Sequence, residues 1–304
     1  MSDGLGRFGT KALVAGGAVT APPAFDPSVH ALGTPGRFVR SAIPNGDPAD
    51  GTTFTYLAQT TRTVNAAPVD PGGVKPTSVF TVTRVDDTFR TIAHLSEAIN
   101  RADLDDSAAL RQFLESELRL GLLLVVDAQI LHGDSTGTPA GYSGLANLSG
   151  VQDQPFVTDV LTTARKAITL VEVNGLATPS AILLHPNDWE VFELSKSTGG
   201  SEEFHLPTAP VNRAAATIWG VAVISSVSVV QGTGWVGDFA RQSRYREREQ
   251  TRVDWSEATY DAGEAATDFE RNLIRFRAES RGGIEWFRPA AFCSFEVSEG
   301  ASAT

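Results

Sequence analysis

The spacing of apolar residues changes along the chain from irregular to alternating, then to helical, and back to alternating. Up to about Phe38 the sequence is rich in Gly, Pro and Ala and has little periodicity, so it lacks the apolar surface for a core of its own. That predicts an extended arm whose order comes from a neighbour. Two short β-prone runs follow, Thr52 to Leu57 and Val79 to Val85, separated by the turn-rich stretch Val69-Asp-Pro-Gly-Gly-Val-Lys-Pro76. They predict a long hairpin with a loose tip.

The strongest helical pattern lies between Asp106 and Gly133. Leu110, Phe113, Leu114, Leu118, Leu122 and Val125 follow at helical spacing, with Asp106 as N-cap and Gly133 as C-cap. A helix of this length serves as a spine. After a Gly-rich turn region from Gly133 to Gly150, a second helix is expected from about Phe156 to Val173, stopping at Asn174-Gly175. Ala181 to Leu184 reads as a buried strand, and His185-Pro-Asn-Asp-Trp189 opens a short helix. The last third is strand-like at Val221 to Ser226, Trp235 to Phe239, Thr251 to Trp255, Leu273 to Arg281 and Ile284 to Phe287. Together these elements predict an α+β fold.

Composition narrows the function classes. With 304 residues, 41% of them hydrophobic, the chain suits one large core or two modest ones. The apolar run from Ala12 to Ala21 is broken by Gly16 and Gly17 and is too short to span a bilayer, which predicts no membrane partner and synthesis without export. The single cysteine, Cys293, leaves no internal disulfide framework and reads as a buried thiol beside Phe292 and Phe295. A net charge of −11 argues against holding nucleic acid by phosphate neutralisation, yet suits a container that must not stick to its contents.

Several motifs suggest chemistry but lack its context. Gly133-Asp-Ser-Thr-Gly137 spells the G-x-S-x-G nucleophile pattern, which would make Ser135 a hydrolase serine; that elbow needs a strand before it, whereas a long helix precedes it here. Lys196-Ser-Thr-Gly-Gly200 has the letters of a phosphate loop in the wrong order. His30, His94, His132, His185 and His205 are scattered, without metal-ligand spacing, so no metal or cofactor is expected. Asp103, Asp105 and Asp106 begin a helix, where its dipole favours negative charge. Trp255, Trp286 and Phe287 lack the basic groove of a base-stacking platform and read as core.

Taken in order, several segments resemble the major capsid proteins of tailed bacteriophages with the Hong Kong 97 fold, which encapsulin shells share. They are Lys75-Pro76 with the following strand, Arg90 to His94, Ile130-Leu-His-Gly-Asp-Ser-Thr-Gly137, Leu184-His-Pro-Asn-Asp-Trp189, Trp219-Gly-Val-Ala-Val223, Gly234-Trp-Val-Gly-Asp-Phe239, and Phe269 to Arg281 leading to Phe287-Arg-Pro-Ala-Ala-Phe292. The resemblance implies an N-terminal arm at 1–38 and a projecting E-loop at 54–87. It implies a P-domain from 39–53, 88–135 and 246–286, with its spine helix at about 106–133, and an A-domain from 136–245 with 287–304 as its tail.

It further implies a structural role: pentamers and hexamers of the chain closing into an icosahedral shell around double-stranded DNA, without sequence-specific DNA binding. The expected surroundings are a portal protein and scaffolding and decoration proteins, with assembly in the host cytoplasm and residence in the virion. No long charged helical segment precedes the arm, and the sequence begins at Met1, so a separate scaffolding protein, or none, is expected rather than a cleaved leader. The alternative shell is an encapsulin-like nanocompartment.

Some relatives fasten the shell with an isopeptide bond between an E-loop lysine and a P-domain asparagine, a glutamate taking the proton. Carried over through the matching segments, those positions are Lys75, Asn272 and Glu279. Lysine is scarce, occurring only at 11, 75, 166 and 196. The same three residues also suit inter-subunit salt bridges and strand-end hydrogen bonds. No other catalytic activity is expected.

Overall fold

The computed structural model describes residues 31–48, 50–106, 108–195, 216–257 and 267–298. The predicted arm therefore lies largely outside the described residues, as do His30, His205 and the Lys196 to Gly200 motif.

The chain enters through a 3-10 turn, Val39–Ala42, and then forms the hairpin of β1 (Thr53–Thr63) and β2 (Val79–Thr88). Both strands run beyond the expected β-prone runs, because the flanking Thr and Asp residues pair as well as the apolar ones, with one irregularity between Gln59 and Thr61. Next come β3 (Arg90–Leu95), β4 (Ile99–Asn100), α1 (Arg101–Asp106) and α2 (Ala108–His132). Asp106, expected to cap the long helix, instead closes the short helix before it.

The buried face of α2 carries Leu118, Leu122, Val126 and Ile130, a strict i, i+4 stripe. Val125, which the pattern placed on this face, is exposed. A four-stranded sheet lies beneath, formed by the long β10 (Ser243–Ser256), β11 (Leu273–Trp286) and β3, with β4 pairing β11 as well. Even-numbered β11 residues Ile274, Phe276 and Ala278 point toward the helix and pack on Leu118 and Leu122. Leu273 to Arg281 and Ile284 to Phe287, predicted as separate strands, are one: Gly282 and Gly283 continue the ladder where side chains from elsewhere press onto it.

The helix meets this sheet at a notch. A Cβ on Gly121 would lie 2.8 Å from His94 Cε1, and His94 Nε2 is held 2.8 Å from Leu118 O. Gly121→Ala should therefore destabilise the protein by about 1–3 kcal/mol, against the helix propensity that favours alanine. Urea unfolding of the two proteins checks this, and a variant as stable as the parent would mean that His94 yields freely.

A six-stranded sheet forms the other half, in the order β5 (Gln152–Gln154), β12 (Phe292–Glu296), β9 (Thr233–Gly237), β6 (Ala181–Leu184), β8 (Val221–Ser225) and β7 (Thr217–Ile218). Every residue of β6 is buried, since α3 (Val160–Val173) covers one face while Trp235, Phe239, Trp286 and Phe292 pack against the other. Helix α3 starts later than Phe156 because Asp159 caps it, accepting from Thr162 N at 2.7 Å. The short helices α4 (Pro186–Leu194) and α5 (Phe239–Gln242) complete the layer. Phe239 thus opens a helix capped by Asp238 instead of ending a strand. Cys293 is buried here, and burial pushes its thiol up to about 12, so it is inert. Among the described residues no helix is long and apolar enough to cross a membrane.

Candidate assembly surfaces

Among the described residues the β1/β2 hairpin pairs with no other strand. Cross-strand register sorts its side chains into two faces. Tyr56 and Val85 face the body, where Tyr56 meets the Phe287 ring edge-on at 5.7 Å. On the opposite face Leu57, Phe80 and Val82 are all exposed, as is Val74 at the tip. On that face they alternate with Arg84, Gln59 and Arg62 across the strands, and a lone two-stranded ribbon is marginal in water, so a covering surface would stabilise it.

The root of the hairpin, in contrast, is firmly built. Phe54 and Phe89 are buried with ring centroids 4.9 Å apart, and the Phe54 ring lies on Gly283, where a Cβ would come within 2.4 Å of Cε1. Ser143 Oγ donates to Asp87 at 2.8 Å, and Trp286 Nε1 donates to the Ser143 carbonyl at 2.7 Å. Beside this root, Arg246 Nε pairs with the fully buried Glu285 at 2.5 Å. The incoming chain is strapped down as well: Gly46 N donates to Tyr245 O, Tyr245 N donates to Pro44 O, and Arg37 reaches Val223 O at 2.8 Å.

The structure does not bring the candidate bond-forming trio together within one copy. Lys75 is exposed in the loop joining β1 to β2, opposite the hairpin root. Asn272 sits just before β11, exposed and with φ of 57°, a left-handed conformation that asparagine tolerates well. Glu279 lies seven residues along, on the outer face of β11, opposite Arg252 on β10 and 3.6 Å from Arg277 Nε. Seven strand residues span roughly 23 Å, so Asn272 and Glu279 of one copy cannot share a reaction centre.

The other motifs resolve as structure. Ser135 lies in the turn directly after α2, its carbonyl accepting from Arg90 at 3.5 Å, with no strand leading into it. His94 is the α2 anchor, and His185 caps α4 by accepting from Asn187 N. His132 is half-buried and burial lowers its pKa. Asp105 pairs with Arg101 at 3.8 Å. Trp286 is buried, whereas Trp255 is half exposed, a correction to its reading as core. Among the described residues no three metal-ligating side chains gather.

Residues 17–297 match the phage capsid family. The chain belongs to that family. Over 252 residues, 81% of its length, it is 27% identical to the major capsid protein of Enterobacteria phage HK97, and the match spans 61% of that protein. Solved structures from Mycobacterium phage Ogopogo (TM-score 0.69, 15% identity, 90% of this chain and 96% of that one) and Gordonia phage Cozz (0.68, 16%, 94% and 98%) share its fold. So does the capsid of a native GTA particle computed with C5 symmetry (0.70, 14%, 96% and 99%). The fold of this phage capsid family chain is thus the Hong Kong 97 fold, in the α+β arrangement expected.

The phage capsid family resemblance pointed to Lys75, Asn272 and Glu279, but nothing in the reading flagged the root residues Phe54, Gly283, Arg246 and Glu285. One signal was available: adjacent glycines inside an otherwise β-prone run mark a place where other groups approach the backbone closely.

Proposed function

We propose that this chain is the major capsid protein of a tailed bacteriophage, building pentamers and hexamers that close into an icosahedral shell around double-stranded DNA. The projecting hairpin with Leu57, Phe80 and Val82 exposed, on a chain of the phage capsid family, is the observation that carries this reading. In it, 54–87 is the E-loop lying on a neighbouring copy and 1–38 the arm. The spine helix and long sheet, from 39–53, 88–135 and 246–286, form the P-domain, and 136–245 with 287–304 the A-domain. Contacts that close by rotation generate the rings, and many modest contacts per copy sum across the shell. A portal is the other partner, with a separate scaffolding protein or none and decoration proteins as optional additions, and assembly takes place in the host cytoplasm.

The isopeptide bond belongs to the same reading. The Lys75 amine attacks the Asn272 carboxamide carbon, the Glu279 carboxylate takes a proton from the attacking nitrogen and passes it to the carboxamide nitrogen, and the C–N bond breaks to release ammonia as the new amide forms. Because one copy holds Asn272 and Glu279 far apart, the groups come from more than one copy, which ties the single-turnover reaction to assembly.

Electron microscopy of the purified chain should show closed angular shells, and a denaturing gel of those shells should show a covalent ladder that Lys75→Ala abolishes while leaving the shells intact. Discrete small oligomers, even with scaffold supplied, would refute the shell; unladdered wild-type shells would refute the bond alone. Small uniform shells around a protein cargo would favour the nanocompartment instead.

A further inference from the structure

Strand β3 is an edge strand: β11 pairs with one side of it, and among the described residues no strand pairs with the other. Ser96 N donates to Phe276 O at 2.8 Å, one step beyond the Leu95–Arg277 pair, which sets the phase of the ladder. Opposed residues alternate between bonded and unbonded in an antiparallel ladder, so Arg90, Ile92 and His94 are the ones that bond β11. Thr91, Ala93 and Leu95 turn their N–H and C=O groups away from it, and all three are exposed. Strand β2 offers a matching edge. Phe89 N donates to Thr52 O at 3.0 Å, and the irregularity between Gln59 and Thr61 adds its residue on β1, so Phe80, Val82 and Arg84 direct their backbone groups away from β1.

Sheets protect open edges with bulges, charges or proline. The opposite edges of these two sheets have such protection. β10 is irregular between Glu247 and Arg252, and its Thr251 carbonyl accepts from Arg119 Nη1 at 3.1 Å; β1 carries the irregularity of the hairpin. On β2 and β3, in contrast, neither strand bulges, and residues 79–83 and 91–95 contain no Asp, Glu, Lys, Arg or Pro.

We propose that β2 of one copy pairs antiparallel with the free edge of β3 in a second copy, so that the four-stranded sheet continues through the hairpin. Hydrogen bonds form between the two where outward-turned residues stand opposite one another, which brings Phe80 and Val82 onto the same face as Ala93 and Leu95. The phase that satisfies the backbone is thus the one that makes the exposed apolar side chains of both strands neighbours. Charge sets the direction. With the strands antiparallel, the hairpin tip, which carries Arg62 and Lys75 against the single acid Asp70, points toward the exposed Glu97 and, beyond it, Asn272, whose carbonyl accepts from Arg101 N. Asp86 then comes toward Arg281, which stands opposite Thr91 and whose Nε is buried without a partner. Parallel pairing would bring Lys75 toward Arg281 instead. The inference rests on the reading in which the hairpin lies on a neighbouring copy, and adds what it bonds there.

Amide exchange of the wild type tests it directly. The Ala93 and Leu95 N–H groups should exchange quickly in the free chain and slow by about tenfold or more on assembly, as should those of Phe80 and Val82. Ala93→Pro removes an N–H that β11 does not use, so the free variant should keep the parental urea midpoint yet form no shells, whereas Ala93→Val, which retains the N–H, should assemble. Val82→Pro should fail to assemble in the same way, from the other strand. Fast exchange at Ala93 and Leu95 in the assembled wild type overturns the pairing while leaving the shell standing, as do shells formed by Ala93→Pro. A wild type that never associates overturns both. Should Ala93→Pro fail to fold, exchange in the wild type decides.

Discussion

Arg246→Met should be among the most damaging single substitutions in this protein, costing about 3–5 kcal/mol in urea unfolding, because it leaves a buried carboxylate with no counter-charge. Glu285 is fully buried, and only its Oε1 is engaged, 2.5 Å from Arg246 Nε, while Oε2 has no partner. Among the described residues no second cation bonds Glu285. Arg244, opposite Glu285 across the strands, lies over the Phe287 ring at 5.3 Å. Arg246 also donates to Asp47 O at 3.2 Å, so the loss reaches the segment that leads into the hairpin. Adding Glu285→Gln to Arg246→Met should recover a large part of the stability, since a neutral amide is far cheaper to bury than a stranded charge. If the single variant costs less than about 1 kcal/mol, the carboxylate is reaching water by another route.

The elements that could be read from the sequence were those whose burial is set by their own spacing. The α2 leucines recur every four residues, and Ala181 to Leu184 is apolar throughout, so both read directly. Elements whose burial comes from distant partners did not. β3 mixes Arg, Thr and His and becomes a strand because β11, nearly two hundred residues on, supplies its ladder. β12 is a five-residue strand held between β5 and β9, too short to show a period. The Gly282-Gly283 pair looked like a break, yet it continues β11 because Tyr245 and Phe54 occupy the space that side chains would need.

The same division applies to the candidate sites. Resemblance supplied the letters of Lys75, Asn272 and Glu279, but the separation of Asn272 from Glu279 within one copy is a property of the strand and appears only once β11 is drawn.

The hairpin root yields the prediction closest to assembly. Gly283→Ala should cost about 1–3 kcal/mol and abolish shell formation, because the added methyl falls 2.4 Å from Phe54 Cε1 and 2.8 Å from Cζ. The ring cannot retreat, with the Phe89 ring 4.9 Å away across the root. Phe54→Ala should fail for the opposite reason: it empties the same space, costs about 3–5 kcal/mol where packing is complete, and frees the hairpin to swing. Pairing Gly283→Ala with Phe54→Leu lets the smaller branched side chain accommodate the methyl, so the double variant should cost less than the sum of the two singles and regain shells in electron micrographs. A wholly additive pair, with Gly283→Ala assembling as the parent does, would show that the hairpin is positioned by its neighbours in the shell and that the aromatic root only follows.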